Sequence, residues 1–83
     1  MAKYFHLTIA HVADNLFDGE VSSVSLPGTE GMFEVLGGHA AFVSELREGE
    51  ARATSPDGAV HRFPIAEGGI AEVSSGNQVT VLL

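Results

Sequence analysis

Four histidines, at positions 6, 11, 39 and 61, are the side chains of this sequence best suited to acid–base chemistry or metal binding. Imidazole titrates near neutral pH, and its nitrogens bind metals. The spacing does not favour a metal site, because HxH, HExxH and HxxxH do not occur and because His6 and His11 would lie on opposite faces of a strand. We therefore expect solvent-facing or hydrogen-bonded strand histidines and no bound metal.

Serine and glycine could also support chemistry, as a nucleophile or as a phosphate-binding loop. No GxSxG motif marks any of the serines as a nucleophile. The glycine clusters Gly28 to Gly31 and Gly37-Gly38 match neither GxxxxGK[ST] nor GxGxxG, and Glu30 and Glu34 would repel a phosphate. We expect these glycines to serve turns and bulges, with no catalytic residue and no cofactor.

Composition limits the classes of protein to which this chain can belong. Its 83 residues carry four Lys and Arg against eleven Asp and Glu, a formal charge of −7, and no cysteine, which excludes disulfides and thiolate chemistry. This length predicts a single domain over residues 1–83. So few cations make nucleic acid an unlikely partner, and the apolar runs are too short for a membrane span. Met1-Ala2-Lys3 leads directly into an alternating segment without a secretory signal, so we expect a cytoplasmic location.

The elements that must position any functional side chain are short strands, because ten glycines and three prolines interrupt the chain at close intervals. Tyr4 to Ala10 alternates most clearly, with Phe5, Leu7 and Ile9 on one face. Further strands are predicted at Val21 to Leu26, Gly31 to Leu36, Phe42 to Arg47, Glu50 to Ser55, Ala59 to Ile65, Ile70 to Val73 and Gln78 to Leu83. His11 to Phe17 is predicted as a turn or irregular strand.

Proline and glycine predict how these strands are arranged. Pro27-Gly28 is expected to end the Val21 strand. Pro56-Asp57-Gly58 predicts a hairpin turn, and Pro64 predicts an edge position or a bulge. Roughly seven to ten short strands with regular turns favour an all-β sandwich or flattened barrel. Such a domain, without a catalytic constellation, is expected to bind another protein; a free-standing small-molecule-binding sandwich is the alternative.

Three motifs in order, PGTEG at 27–31, GGHA at 37–40 and GGIAEV at 68–73, carry a specific resemblance. Gly19-Glu20-Val21 precedes them, and Asn77 and the VTVL of 79–82 follow them. Over nearly its whole length the sequence strongly resembles the epsilon subunit of F-type ATP synthases. The resemblance implies a flattened β-sandwich of about ten mostly antiparallel strands. It also implies a non-catalytic rotor subunit that binds the gamma subunit and the c-ring and couples proton-driven rotation to ATP synthesis.

Carried over position by position, the resemblance assigns two contact surfaces. Glu30, Gly31 and Met32 would face the c-ring, and His11, His39 and Ser44 would approach gamma. It also implies a peripheral location on the cytoplasmic face of the bacterial plasma membrane. The isolated domain is expected to self-associate through surfaces meant for its partners.

The sequence departs from the family pattern in two ways. Many members have an acidic residue at Met32 and a proline at Gly37, so the c-ring contact here is expected to use Glu30, Glu34 and apolar packing by Met32. Members also usually continue into a carboxy-terminal helical hairpin that inhibits ATP hydrolysis and binds ATP in some species. Because this sequence stops at Leu83, we expect neither inhibition nor nucleotide sensing from it.

Overall fold

A computed structural model describes residues 4–12, 14–38, 41–74 and 78–83. Within them the chain is entirely β-structure, in agreement with the all-β prediction, and has nine strands. In chain order these are β1 (Phe5–His11), β2 (Asp14–Val21), β3 (Ser23–Gly28), β4 (Gly31–Leu36), β5 (Phe42–Glu45), β6 (Gly49–Thr54), β7 (Val60–Ile65), β8 (Ile70–Val73) and β9 (Gln78–Leu82). No helix able to cross a bilayer occurs in these described segments.

The strands form two sheets packed face to face, which confirms the predicted sandwich. Sheet A has the strand order β2-β1-β9-β8-β5, and sheet B has the order β4-β3-β6-β7. Every pairing between these strands is antiparallel except that of β1 with β9, which is parallel. The mostly antiparallel arrangement is therefore also confirmed.

The core lies between the sheets and follows from the alternation of side chains along each strand. In β1 the even positions face outward, while Phe5, Leu7 and Ile9 are buried, as predicted. Sheet B contributes the small residues Ala51 and Ala53, which allow its backbone to approach sheet A closely. No polar or charged residue among the described ones is buried. The fold is held together by apolar packing.

Aromatic pairs pack across both open sides of the sandwich, between an edge strand of one sheet and an edge strand of the other. On one side Phe17 of β2 contacts Phe63 of β7, with ring centroids 5.6 Å apart in an edge-to-face geometry. On the other side Phe33 of β4 and Phe42 of β5 make a similar contact at 5.5 Å. Such pairs contribute about 0.5–1.5 kcal/mol beyond their buried area. The two rings on each side exclude water from the edge of the core.

In the first third of the chain, the prediction of a turn or irregular strand over His11 to Phe17 is confirmed, since Val12 lies in a turn and the register of β2 with β1 shifts between Ile9 and Ala10. The predicted strand start at Val21 was wrong, because Val21 ends β2 and Ser22 separates it from β3. The predicted end at Pro27-Gly28 was also wrong, because β3 continues through both residues. Pairing of β3 with β6 ends at Ser25. Pro27 has no N–H, but at this position it removes no hydrogen bond between the two strands.

The predicted hairpin around Pro56-Asp57-Gly58 and the predicted edge position of Pro64 are confirmed. β6 and β7 form a hairpin around Pro56-Asp57-Gly58, and Gly58 has a φ of 90°. The Ser55 N–H donates to the Ala59 carbonyl at 2.8 Å and closes the turn. β7 is an edge strand, and its edge position accommodates Pro64.

A hydrogen-bonded group of polar side chains crosses the outer face of sheet A. His6 contacts the carboxylate of Asp18, and Thr8 Oγ1 donates to the same carboxylate at 3.1 Å. Gln78 Nε2 donates to Thr8 Oγ1 at 3.4 Å, so the group joins β2, β1 and β9. Hydrogen bonding from His6, and next from Thr8, lowers the pKa of Asp18 below its usual range because these bonds stabilise the ionised form.

We predict that Gly28→Ala destabilises the fold by about 2 kcal/mol, because the new Cβ would overpack the core. That atom would lie 2.9 Å from two ring carbons of Phe33 and 2.9 Å from the Gly31 carbonyl oxygen. Gly19→Ala is the matched control, since its Cβ would meet only the Phe17 ring, at an ordinary 3.7 Å. Urea unfolding of both variants checks this. Equal free energies of unfolding for Gly28→Ala and the wild type would contradict it.

We predict that the stability lost in Asp18→Asn depends on pH. The folded-state pKa of Asp18 is lowered from 3.8, so the carboxylate stabilises the fold above that value, and this stabilisation is lost as the pH falls through the lowered pKa. The difference in free energy of unfolding between wild type and Asp18→Asn should therefore shrink from about pH 6 to about pH 3. Urea titrations at each pH measure it. A difference that stays constant would show that the carboxylate is not stabilised in the fold.

Candidate functional site

One serine, one histidine and one aspartate come together at the β6–β7 turn. The Ser55 hydroxyl donates to Asp57 Oδ1 at 2.6 Å, and His61 Nε2 lies 3.4 Å from the same hydroxyl oxygen. A nucleophilic serine must give its proton to the histidine, but here the proton points to the carboxylate. The hydroxyl of Ser55, and next the N–H of Ala59, lowers the pKa of Asp57. This arrangement stabilises a turn and is not that of a hydrolase.

The other histidines do not assemble a site within the described residues. His6 contacts Asp18, and His11 is exposed at the end of β1. His39 lies outside the described residues. In the described part of the chain, no three His, Asp or Glu side chains are close enough to share a metal ion.

The outer face of sheet A carries negative charge beside an apolar row. Strand pairing aligns Ala10, Leu82 and Ile70 across three strands. Leu82 and Ile70 are 54% and 42% exposed. The same face also carries four outward carboxylates, those of Asp18, Glu20, Glu45 and Glu72. No lysine or arginine occurs in any of the five strands of this sheet. We call this surface the acidic face.

The outer face of sheet B is different because its charges are balanced. Arg52 and Arg62 are directly opposite each other on β6 and β7. The Nε atoms of Arg52 and Arg62 lie 3.0 and 3.9 Å from Glu50 Oε1. Glu34 supplies a second carboxylate from β4. The net negative charge of the strands is therefore concentrated on the acidic face, which favours a partner with positive charge there.

A groove separates the tip of the β3–β4 hairpin from β5. The hairpin has a two-residue loop, Thr29-Glu30, and Gly31 follows it with a φ of 131°. The Thr29 N–H donates to the Glu45 carbonyl at 3.1 Å, which fixes the base of the groove. The groove has a volume of about 460 Å³, and Met32 and Val43 lie on its two walls. We call it the hairpin groove.

The structure distributes the sequence-predicted contact residues differently from the two surfaces that the sequence suggested. Glu30, Gly31 and Met32, assigned to the c-ring, line the hairpin groove together with Ser44, which was assigned to gamma. His11 lies on β1, three strand spacings, or roughly 14 Å, from the strand of Ser44. Whether these residues contact those partners stays a prediction.

Sequence reasoning missed the apolar row of the acidic face. Leu82 and Ile70 alternate with the buried Val81 and Ala71, and their apolar character at outward positions was the available signal. Val12 was also missed. It follows His11 in the β1–β2 turn, is 94% exposed, and has a φ of 29°, which is strained for a β-branched residue. Strained, exposed apolar residues are found at functional surfaces.

Comparison with known proteins agrees with this geometry. A family model described as "ATP synthase, Delta/Epsilon chain, beta-sandwich domain" matches residues 4–83. The chain is 42% identical over 74 residues to the ATP synthase epsilon chain of Hyphomonas neptunium, with 89% of this chain and 54% of that one covered. It is 40% identical over 80 residues to the ATP synthase epsilon chain of Chlorobium limicola, with 96% and 89% covered. It thus spans about half of the first relative and most of the second.

Solved structures show the same fold. A chain from the mitochondrial ATP synthase of Euglena gracilis, in a structure of its OSCP, F1 and c-ring, superposes with a TM-score of 0.88. The match covers 99% of this chain and 51% of that chain at 24% identity. Together with a family model that matches nearly the whole sequence, these similarities show that the chain belongs to the ATP synthase delta/epsilon family, as an epsilon-type β-sandwich domain.

Proposed function

We propose that this chain is a non-catalytic subunit of the central stalk of an F-type ATP synthase, where it binds gamma and the c-ring and couples proton-driven rotation to ATP synthesis. Family membership supports the complex, and the acidic face is the structural observation that carries the binding role. In this proposal the subunit is peripheral, on the cytoplasmic face of a bacterial plasma membrane. It contributes contacts and rigidity and performs no chemistry.

Gamma is the partner proposed for the acidic face and the end of the sandwich beside it. An apolar row bordered by carboxylates combines the apolar and polar parts that protein interfaces contain. His11 follows Ala10 on β1 and Ser44 precedes Glu45 on β5, so these two lie at the ends of the row with side chains directed to the other side of their strands. His39 is the third proposed gamma contact. A gamma surface with basic side chains around an apolar strip would complement this face.

The c-ring contact is proposed for Glu30, Gly31 and Met32 at the hairpin tip. Glu30 is exposed, and Met32 is 57% exposed, so both can contact another surface. The hydrogen bond from Thr29 to Glu45 ties this tip to sheet A. A tip held in this way loses little conformational entropy on binding and can transmit force to the sandwich.

We predict that Leu82→Glu weakens binding to the cognate gamma subunit by at least about tenfold, because it places a charge in the middle of the apolar row. Val60→Glu is the matched control. Val60 is an apolar strand residue on the outer face of sheet B, and its exposure of 53% is close to the 54% of Leu82. It should bind gamma as the wild type does. Calorimetry, after size-exclusion chromatography with light scattering has established a one-to-one complex, measures both affinities.

Two outcomes would count against this proposal. If the wild-type chain and gamma elute separately at micromolar concentration, the rotor role is wrong. If the two variants bind equally well, or if Val60→Glu alone weakens binding, gamma does not occupy the acidic face.

A further inference from the structure

The outer edge of β5 already accepts a hydrogen bond from Thr29, the residue that follows β3. β5 pairs with β8 on one side through Phe42 and Ser44, which face Val73 and Ala71. Because backbone groups alternate along a strand, the N–H and C=O of Val43 and Glu45 point to the opposite side. On that side the Glu45 carbonyl accepts a hydrogen bond from the Thr29 N–H, at 3.1 Å. This edge is therefore geometrically able to receive a strand.

The pairing begins at the end of β3, where the Arg47 N–H donates to the Pro27 carbonyl at 2.9 Å, and it ends at Thr29. Gly28 forms a bridge with Leu46, and the next residue, Thr29, bonds to Glu45. The chain then turns through Glu30 and returns as β4, away from β5. The hairpin groove is the space that opens where the two strands diverge. Val43 lies along it, and no other described backbone group is hydrogen-bonded to its outward N–H and C=O.

The side chains around this edge define what could fill the groove. Val43 is 65% exposed on the sheet A side, and Met32 is 57% exposed on the hairpin side. Glu30 and Glu45 are the charged residues that line the groove, and none of its lining residues is a lysine or arginine. An extended segment with alternating apolar and basic side chains complements this surface.

We propose that an extended segment of the gamma subunit adds to sheet A as a sixth strand, paired with the free edge of β5 in the hairpin groove. An apolar side chain of this segment lies opposite Val43, and a Lys or Arg at the end nearest the hairpin lies beside the Glu45 carboxylate, because Thr29 already occupies the backbone position opposite Glu45. This inference rests on the proposed function, since it takes gamma as the partner. It adds the mode of binding, which is backbone pairing at a sheet edge.

Two of the other three sheet edges, β7 and β2, are less suited to strand addition. β7 contains Pro64, which has no N–H to donate. β2 has a register irregularity at its pairing with Ile9 and Ala10 and carries several carboxylates. Bulges and like charges both discourage pairing at an edge.

Proline substitution at β5 tests the pairing directly. Val43→Pro removes the outward N–H and leaves the hydrogen bonds of Phe42 and Ser44 to β8 in place. We expect it to weaken gamma binding by about tenfold, the effect of losing one interfacial hydrogen bond and straining its neighbours. Val60→Pro is the matched control. Ala59 bonds to Ser55 across the β6–β7 turn, so Val60 points away from β6, as the native Pro64 does.

Hydrogen exchange of the wild-type chain provides a second measurement that does not depend on a variant folding. Single-amide exchange, read by NMR with and without the cognate gamma subunit, should show that the N–H of Val43 becomes at least about tenfold slower in the complex. The N–H of Val60, on the edge of sheet B, should exchange at the same rate in both samples.

The outcomes separate the binding mode from the proposed function. If gamma binds but the Val43 amide is not protected, strand addition is wrong while the rotor function stands. Protection of Val43 by the c-ring alone would also overturn the choice of gamma. Equal binding by Val43→Pro and the wild type would contradict the pairing. If gamma does not bind at all, the proposed function and this inference fail together.

Discussion

The close approach of the β3–β4 hairpin to β5 is the constraint on which the candidate contact surfaces depend. It requires position 28 to have no side chain, since a Cβ there would collide with the Phe33 ring. With that space available, Phe33 reaches Phe42 and closes one open side of the sandwich, and Thr29 reaches the Glu45 carbonyl. One small residue thus determines how the core is sealed and where the hairpin tip lies relative to sheet A.

Charge and packing are separated in this domain. The interior contains no buried ionised group among the described residues, so stability comes from apolar area and from edge-to-face aromatic contacts. The carboxylates are left to the surface, and their concentration on one sheet creates a directional electrostatic field. A partner approaching with positive charge would therefore be oriented before contact, which is useful for a subunit that must occupy a single position in an assembly.

Much of the fold was predictable from local patterns, and the exceptions have physical causes. Phe5, Leu7 and Ile9 alternate strictly, and Pro56-Asp57-Gly58 has the composition of a tight turn, so β1 and the β6–β7 hairpin were predicted correctly. β2 was predicted only as a turn or irregular strand over His11 to Phe17, because residues 14–20 are mostly exposed and polar and their strand conformation depends on pairing with β1. The hairpin groove could not be predicted, since it brings Met32 near Val43 only through the packing of the two sheets. Ile70 and Leu82 could have been noticed as apolar residues at outward positions, but their alignment in one row depends on strand order.

The parallel pairing of β1 with β9 has a consequence for how the molecule acquires its shape. β9 lies in the middle of sheet A between β1 and β8, and its Gln78 pairs with His6, 72 positions earlier in the chain. Until β9 has been synthesised, β1 and β8 each lack one neighbour and have an unpaired backbone edge. Contacts of such long sequence separation slow folding and leave sheet edges open to aggregation during that interval. Sheet A of a nascent chain can therefore form only after β9 has left the ribosome, and chaperones that shield strand edges would have their greatest effect on its yield before that point.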